Sequence, residues 1–256
     1  MGLNLITMCG ANRVDRMQVF DADIPPATRS HCPIHHSTIL EEVEHNLERI
    51  GMGIVQEAHA LSHEGLRYFG MLEIAQEDGG DFSTIVGLRN SNDKAFAAGL
   101  VVGSGVMVCD NLCFSGEIKV ARKHTRFIMD SIPDLMAEAI DRVVPVRELQ
   151  QNRIEKYKTT ELAVSQVNDM LIHAFDDGVI SSAKIGQVLT EYRDPRHHEL
   201  KEDGNTVWRL MNAFTEIMKP RENGHDLFTL PAKTQKLHGI LDAACGVEEP
   251  LALAEA

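Results

Sequence analysis

The sequence has few cysteines and no long apolar run. Its five cysteines are odd in number and scattered over 256 residues, which argues against a disulfide framework and for reduced thiols. No apolar segment reaches the roughly 18 residues that a membrane helix needs. The N-terminal MGLNLITMCGANRVDR also lacks a basic start followed by an apolar core. These absences predict a cytoplasmic protein with no membrane partner.

Several motifs of common enzymes are missing as well. There is no Gly-Lys-Ser/Thr phosphate loop, and the glycines Gly99, Gly103 and Gly105 lack the spacing of a dinucleotide site. There is also no nucleophile elbow. The sequence therefore argues against a P-loop ATPase, a Rossmann dehydrogenase or a serine hydrolase.

Positive charge is scarce relative to negative charge. The chain has 25 Lys and Arg against 38 Asp and Glu, and its formal net charge is −13. Such an excess of acid disfavours broad attraction to phosphate backbones, so any nucleic-acid contact needs a local basic patch. With 43% hydrophobic and 25% charged residues, the composition is that of an ordinary globular protein.

Hydrophobic periodicity predicts an α+β fold: an N-terminal helix plus an antiparallel sheet, followed by a helical C-terminal half. Residues 1–30 contain Pro25-Pro26 and no sustained period, which predicts an extended or mobile arm, a kind of segment that often docks on a neighbouring subunit. Residues 31–127 are predicted to form a mixed α/β sheet domain. We expect residues 128–246 to form a helical region packed on or beside the sheet, and residues 247–256 to form a flexible tail.

Within the sheet domain, Thr38 and Glu41 have the spacing of a capping box, and Gly51 suits the helix end. Three strand-like runs follow, GIVQEAHALS, LRYFGMLEIAQ and DFSTIVGLRN, and predict an antiparallel meander. Asp93 is then expected to cap a short segment, KAFAAGLVV. Two further strands are predicted in GVMVCDNLCF and EIKVARKH.

After Thr125 the pattern becomes helical. Helices are predicted near 133–161, 166–177, 183–193, 206–219 and 232–245, with Ser165 and Ser182 as caps and Pro145 as a break in the first. The helix near 206–219 has an apolar stripe, which predicts either a core helix or a partner groove. Its members are Val207, Leu210, Met211, Phe214, Ile217 and Met218.

The segment Arg89 to Lys94 is the first candidate site. Asn90, Ser91, Asn92 and Asp93 are typical of an ordinary turn, but a turn needs neither Arg89 nor Lys94. The two cations therefore favour a ligand-binding role.

The second candidate is the dense basic cluster Lys119, Arg122, Lys123, His124 and Arg126. It is either a phosphate-binding patch or a charged edge that blocks strand-to-strand aggregation. Three aromatic residues are candidates for stacking on bases, although aromatics at strand spacing are usually core. They are Tyr68, Phe114 and Phe127.

Two metal-dependent sites remain open. Glu117 and Lys119 match the acidic-x-lysine pattern of metal-dependent nucleases, with Asp110 as a second carboxylate for Mg²⁺. A run of four potential zinc ligands has no second pair at standard spacing, so capping histidines and buried thiols are the alternative. Those ligands are His31, Cys32, His35 and His36.

Parts of this sequence resemble the phage/plasmid-like protein family, a domain of unknown function carried by prophages and conjugative plasmids. The resemblance covers roughly residues 30–246 by the domain boundaries above. It rests on Arg89-Asn90-Ser91-Asn92-Asp93, Cys109-Asp110-Asn111-Leu112, Phe114-Ser115-Gly116-Glu117, Arg122-Lys123-His124-Thr125, Asn212-Ala213-Phe214-Thr215-Glu216 and Thr234-Gln235-Lys236-Leu237-His238-Gly239. The family pattern has Ser-His-Asp where this chain has Ser91-Asn92-Asp93, so no role for a histidine carries over. The resemblance implies a protein of a mobile element.

Three functions follow from these patterns. The first is single-stranded DNA binding by a homo-oligomer without a cofactor, since the order helix, hairpin, third strand and helix is similar to the core of phage single-strand annealing proteins. Its predicted contacts are Arg89, Asn90, Lys94, Asn111, Lys119, Arg122, Lys123 and Arg126. The second is the Mg²⁺-dependent nuclease. The third is a module that binds and neutralises a host protein through an acidic face.

Overall fold

A computed structural model describes residues 11–75, 82–106, 111–113, 118–218 and 230–247. The strands in these ranges are β1 (Asn12–Val14), β2 (Ile54–Ser62), β3 (Arg67–Ile74), β4 (Phe82–Ser91), β5 (Ala98–Val106), β6 (Asn111–Cys113) and β7 (Lys119–Arg122). The helices are α1 (Arg16–Phe20), α2 (His36–Arg49), α3 (Ile128–Asp141), α4 (Val143–Thr159), α5 (Val164–Asp176), α6 (Ser182–Arg193), α7 (Glu199–Glu202), α8 (Val207–Met218) and α9 (Leu230–Cys245). The predicted α+β class is confirmed, with an antiparallel sheet followed by helices in the C-terminal half.

The chain forms two compact units. The sheet unit contains the described residues up to 103 together with 118–144, and the helical unit contains those of 104–117, 145–220 and 226 onward. This division differs from the boundary at 127/128 that the periodicity suggests. Helix α3 belongs to the sheet unit, because it packs on α2 and β7.

Strands β2 to β4 of the sheet unit form the predicted antiparallel meander, and β1 pairs antiparallel with β2. The turn between β2 and β3 places His63, Glu64 and Gly65 at positive φ, which a tight connection requires. Strand β7 pairs antiparallel with the first residues of β5. A Cβ atom on Gly99 would lie 2.6 Å from the carbonyl oxygen of Val120, so only glycine allows β5 and β7 to approach this closely.

Helix α2 begins one turn earlier than a capping box at Thr38 would place it. The cap is His35, whose Nδ1 accepts from the backbone N–H of Ser37, and Thr38 lies within the helix. The end is as predicted, with Gly51 at φ 76°. One face of α2 is buried in the core of the sheet unit, and its members are Ile39, Leu40, Val43 and Leu47.

The prediction of an extended arm over residues 1–30 is wrong for residues 12–20. Strand β1 pairs with the edge of β2, and α1 buries Val19 completely. Arg16 of α1 forms ion pairs with both Glu44 and Glu57. These tertiary partners hold a segment that is too short to show a period of its own.

Asp93 caps a turn at the start of KAFAAGLVV, but the segment is not a single unit. Ser91 and Asp93 accept hydrogen bonds from the backbone N–H of Ala95, and Ser91 also accepts one from Phe96. Lys94 has φ 68°, in the left-handed region, so the chain turns here. Strand β5 then starts at Ala98.

The helices also differ from prediction at their starts. The first begins at Ile128 and breaks at Arg142, so Pro145 lies in the first turn of α4. The N-caps of α5 and α6 are Ala163 and Ser181, each one or two residues before the predicted serines. The stripe on α8 is core, as the first of the two interpretations predicted, since its members are buried apart from the half-buried Ile217.

The helical unit contains a buried polar cluster between α4 and α9. The Arg153 guanidinium donates to both carboxylate oxygens of Asp242, from Nε at 3.0 and 3.1 Å and from a terminal nitrogen at 2.9 Å. The Tyr157 hydroxyl donates to Asp242 at 2.6 Å and lies 3.2 Å from Nδ1 of His238. Because that hydroxyl hydrogen points to Asp242, His238 donates its Nδ1–H to the tyrosine oxygen. Burial raises the pKa of Tyr157 and lowers that of His238.

Candidate nucleic-acid interface

The segment Arg89 to Lys94 divides into structural residues and surface cations. Asn90 and Asn92 are buried, and both donate to the carbonyl of Ile34. Ser91 and Asp93 build the turn described above. Arg89 is half-buried and Lys94 is exposed, so both residues that turn chemistry does not explain reach the surface, as Asp93 does in part.

Two residues predicted at the interface are therefore structural. Asn90 has no exposed surface and cannot shape a groove, because it holds the chain before α2 against β4. Tyr68 is likewise fully buried and cannot stack on a base. Its hydroxyl lies 3.0 Å from Nδ1 of His59, and a Cβ atom on Gly70 would collide with it.

A group of two arginines and two phenylalanines lies on the other face of the sheet from Tyr68. Arg67 and Phe69 are two residues apart on β3, and Arg89 pairs directly with Phe69 across β4. The Phe96 ring contacts Phe69 with centroids 5.4 Å apart, and the Arg89 and Arg67 guanidinium carbons lie 5.5 and 6.0 Å from its centre. We call Arg67, Phe69, Arg89 and Phe96 the sheet-face cluster.

The charge of the sheet-face cluster is set by its two arginines. Arg67 forms an ion pair with Asp93 at 2.6 Å, which offsets its charge. Burial lowers the pKa of Arg89, but a guanidinium stays protonated at neutral pH. The cluster therefore places two guanidinium groups against half-buried aromatic rings.

The second group is the basic segment, residues 122–127, which joins β7 to α3. Arg122, Lys123 and Arg126 are all exposed. Phe127 is 58% exposed, and the Arg126 guanidinium lies 4.4 Å from its ring centre. Phe127 is also the N-cap of α3, and its side chain cannot accept a hydrogen bond there. The segment thus combines cations with an accessible aromatic ring at a helix N-terminus.

Strand pairing links the sheet-face cluster to the start of the basic segment. Gly99 pairs with Ala121, the residue before Arg122. The position of a Cβ atom on Gly99 lies 3.5 Å from Nε of Arg89. Arg89 therefore reaches Gly99 of β5, opposite the residue of β7 that precedes the basic segment.

The four candidate zinc ligands have other partners. His35 caps α2, and Cys32 Sγ lies 3.8 Å from the carbonyl of Pro33. His36 donates from Nε2 to the carbonyl of Gly65 at 2.7 Å, which leaves Nδ1 to accept from Asn90 at 2.9 Å. His31 donates to the carbonyl of Asn92. In the part of the chain that the structure describes, no three His, Cys, Asp or Glu side chains converge as metal ligands.

The remaining candidates are only partly placed. Asn111 lies in β6 and Lys119 in β7, but their side chains fall outside what the structure describes. Asp110, Phe114 and Glu117 lie outside the described residues. The nuclease site therefore stays a sequence prediction. Sequence reasoning missed Phe69 and Phe96, although the spacing of Arg67 and Phe69 on one strand was a usable signal.

Comparison with known proteins adds no relative. No family model matches this chain, and no curated protein or solved structure matches it. Among the described residues, no helix is both long and apolar enough to cross a membrane.

His124 lies within the basic segment but is buried, at 6% exposure. Its ring stacks on His31 with centroids 5.2 Å apart, and neither ring nitrogen has a hydrogen-bond partner in the structure. Burial, with smaller effects from His31 and His36, lowers the pKa of His124 to about 4. The folded chain therefore favours the neutral ring, whereas the unfolded chain titrates near the ordinary 6.5.

We expect His124 to make folding stability depend on pH. Its contribution is complete above pH 6.5 and is lost as the pH falls toward 4, because the unfolded chain binds the proton first. The loss is on the order of 2–3 kcal/mol. Urea melts of the His124→Gln variant at several pH values should show a shallower decline than the unchanged protein, while exposed His173→Gln should not. Identical slopes in all three proteins would contradict this assignment.

Proposed function

We propose that this chain binds single-stranded DNA through the sheet unit, in the replication, recombination or establishment of a phage or plasmid. The observation that carries the proposal is that Arg89 of the sheet-face cluster reaches β5 opposite Ala121 of β7, the residue before the basic segment. The proposal follows the resemblance to a mobile-element family and the similarity to annealing proteins, and it implies a cytoplasmic homo-oligomer along the strand.

The chemistry of the two groups suits an unpaired strand. Exposed Arg122, Lys123 and Arg126 supply point charges for successive phosphates. The rings of Phe127 and Phe96 supply surfaces on which bases can stack. The bases of a single strand are available for such stacking, whereas those of a duplex are not. In a chain of net charge −13, such a restricted positive patch favours a defined binding path over general attraction.

The Arg122→Ala/Lys123→Ala variant should bind a labelled oligo-dT more weakly and with a flatter salt dependence. Each lost phosphate contact lowers the slope of log K against log salt by about 0.7, so two contacts lower it by about 1.4. Phe127→Ala should weaken binding by about fivefold to a hundredfold and leave the slope unchanged, because stacking releases no counterion. Fluorescence anisotropy over a salt series measures both quantities.

A matched control removes two other exposed cations of the sheet unit, Arg13 and Arg49. The Arg13→Ala/Arg49→Ala variant has the same net charge as the test variant, so it should keep the original slope. Equal losses in both double variants would mean that net charge alone governs binding. Running the assay with EDTA and then with Mg²⁺ also reveals strand cleavage, which only the nuclease hypothesis predicts.

A further inference from the structure

Helix α5 of the helical unit presents an apolar stripe to solvent. Val164, Ile172 and Phe175 are 70%, 51% and 41% exposed. Their spacing places them on one side of the helix, where exposed Asn168 lies between Val164 and Ile172. The residues that α5 buries lie on a neighbouring face and are Val167, Met170, Leu171 and Ala174. The stripe is therefore additional to the face that holds the helix in place.

The border of the stripe is acidic. Asp169 and Asp176 lie three residues before and four residues after Ile172, which makes both of them its neighbours on the helix surface. Both carboxylates are exposed, and α5 contains no Lys or Arg. Lys236 of α9 approaches this region, but its Nζ donates to the carbonyl of Asp177 at 2.8 Å, beyond the end of α5.

We propose that the α5 stripe docks an amphipathic helix of a partner protein that carries Lys or Arg beside its apolar face. Large side chains at helical spacing are the usual anchors for such a helix, and the two aspartates select its charge. A second copy of the chain fits less well, because a twofold contact through α5 would bring Asp169 and Asp176 of one copy close to the same pair of aspartates in the other. The inference is independent of DNA binding, which concerns the sheet unit.

The test uses the full chain and a labelled synthetic amphipathic helix of leucine and lysine, with a leucine and glutamate peptide of the same pattern. We expect the lysine peptide to bind at least about tenfold more tightly than the glutamate peptide. The Ile172→Ser/Phe175→Ser variant should bind the lysine peptide about tenfold or more weakly than the unchanged protein does. The Asp169→Asn/Asp176→Asn variant should also bind the lysine peptide more weakly, and its binding should depend less on salt concentration.

The control is Val55→Ser, a 63% exposed apolar residue of the sheet unit, which should leave peptide binding unchanged. Should the double serine variant fail to fold, Val164→Ser is the substitute, because Val164 is the most exposed member of the stripe. Equal binding of the two peptides, or binding that survives the serine variants, overturns the proposal. Failure of the lysine peptide to bind also overturns it. A concentration-dependent dimer that the serine variants abolish would assign the stripe to a second copy instead.

Discussion

Replacing Asp242 by alanine should lower the free energy of unfolding by about 3–5 kcal/mol, the usual cost of breaking a buried ion pair from one side. Asp242 is 2% exposed and Arg153 is 3% exposed. The substitution removes every bond between the Arg153 guanidinium and this carboxylate, and it also removes the acceptor of the Tyr157 hydroxyl. Both groups are buried, so water replaces little of the lost bonding and the cost stays high.

Urea denaturation measures this loss, with the midpoint and the slope fitted together. The matched control in the same unit is Asp194→Ala, which removes a surface carboxylate paired with Lys201. That variant should unfold close to the unchanged protein, because exposed ion pairs contribute little. A similarly small effect of Asp242→Ala would show that the polar cluster is hydrated and is not a fixed part of the core.

Replacing Phe214 by alanine should cost about 3–5 kcal/mol, the range for truncating a buried aromatic side chain. Phe214 has no exposed surface, and its helix α8 packs against α6 and α9 within the helical unit. The lost ring leaves a cavity that close-packed neighbours fill only in part. The change should shift the urea midpoint and leave the slope unaltered.

The control is the same Phe→Ala substitution at a phenylalanine that is more exposed to solvent. Phe175 is 41% exposed on α5, so Phe175→Ala should cost about 1 kcal/mol or less. Comparable costs at the two positions would mean that α8 is not the core element that its burial indicates. A changed slope would instead point to an altered unfolded state.

Strands β2 to β4 were predictable because their signals are local. Alternation in β2 to β4 and the turns at His63-Glu64-Gly65 determine an antiparallel meander without tertiary information. The apolar stripe of α8 could also be recognised from the sequence. The capping error at Thr38 has a local cause too, since histidine is an unusual cap and the sequence offers a conventional one three residues later.

Features that depend on distant partners could not be predicted. Arg16 is held by Glu44 and Glu57, and Asp242 meets Arg153 across 89 residues of sequence. Asn90 donates to the carbonyl of Ile34, and turn propensity does not predict this contact or the burial that accompanies it. The sheet-face cluster was missed for the same reason, because Phe96 reaches Arg89 only after the chain has turned at Lys94.

The most direct test of the proposed function is photocrosslinking of a halogenated oligo-dT, followed by mass spectrometry of the digested protein. A base stacked on an aromatic ring crosslinks efficiently to that ring. We predict adducts in the peptides that contain Phe127 and Phe96, and their loss in high salt. Adducts confined to the helical unit, or none at concentrations that saturate binding, would contradict it.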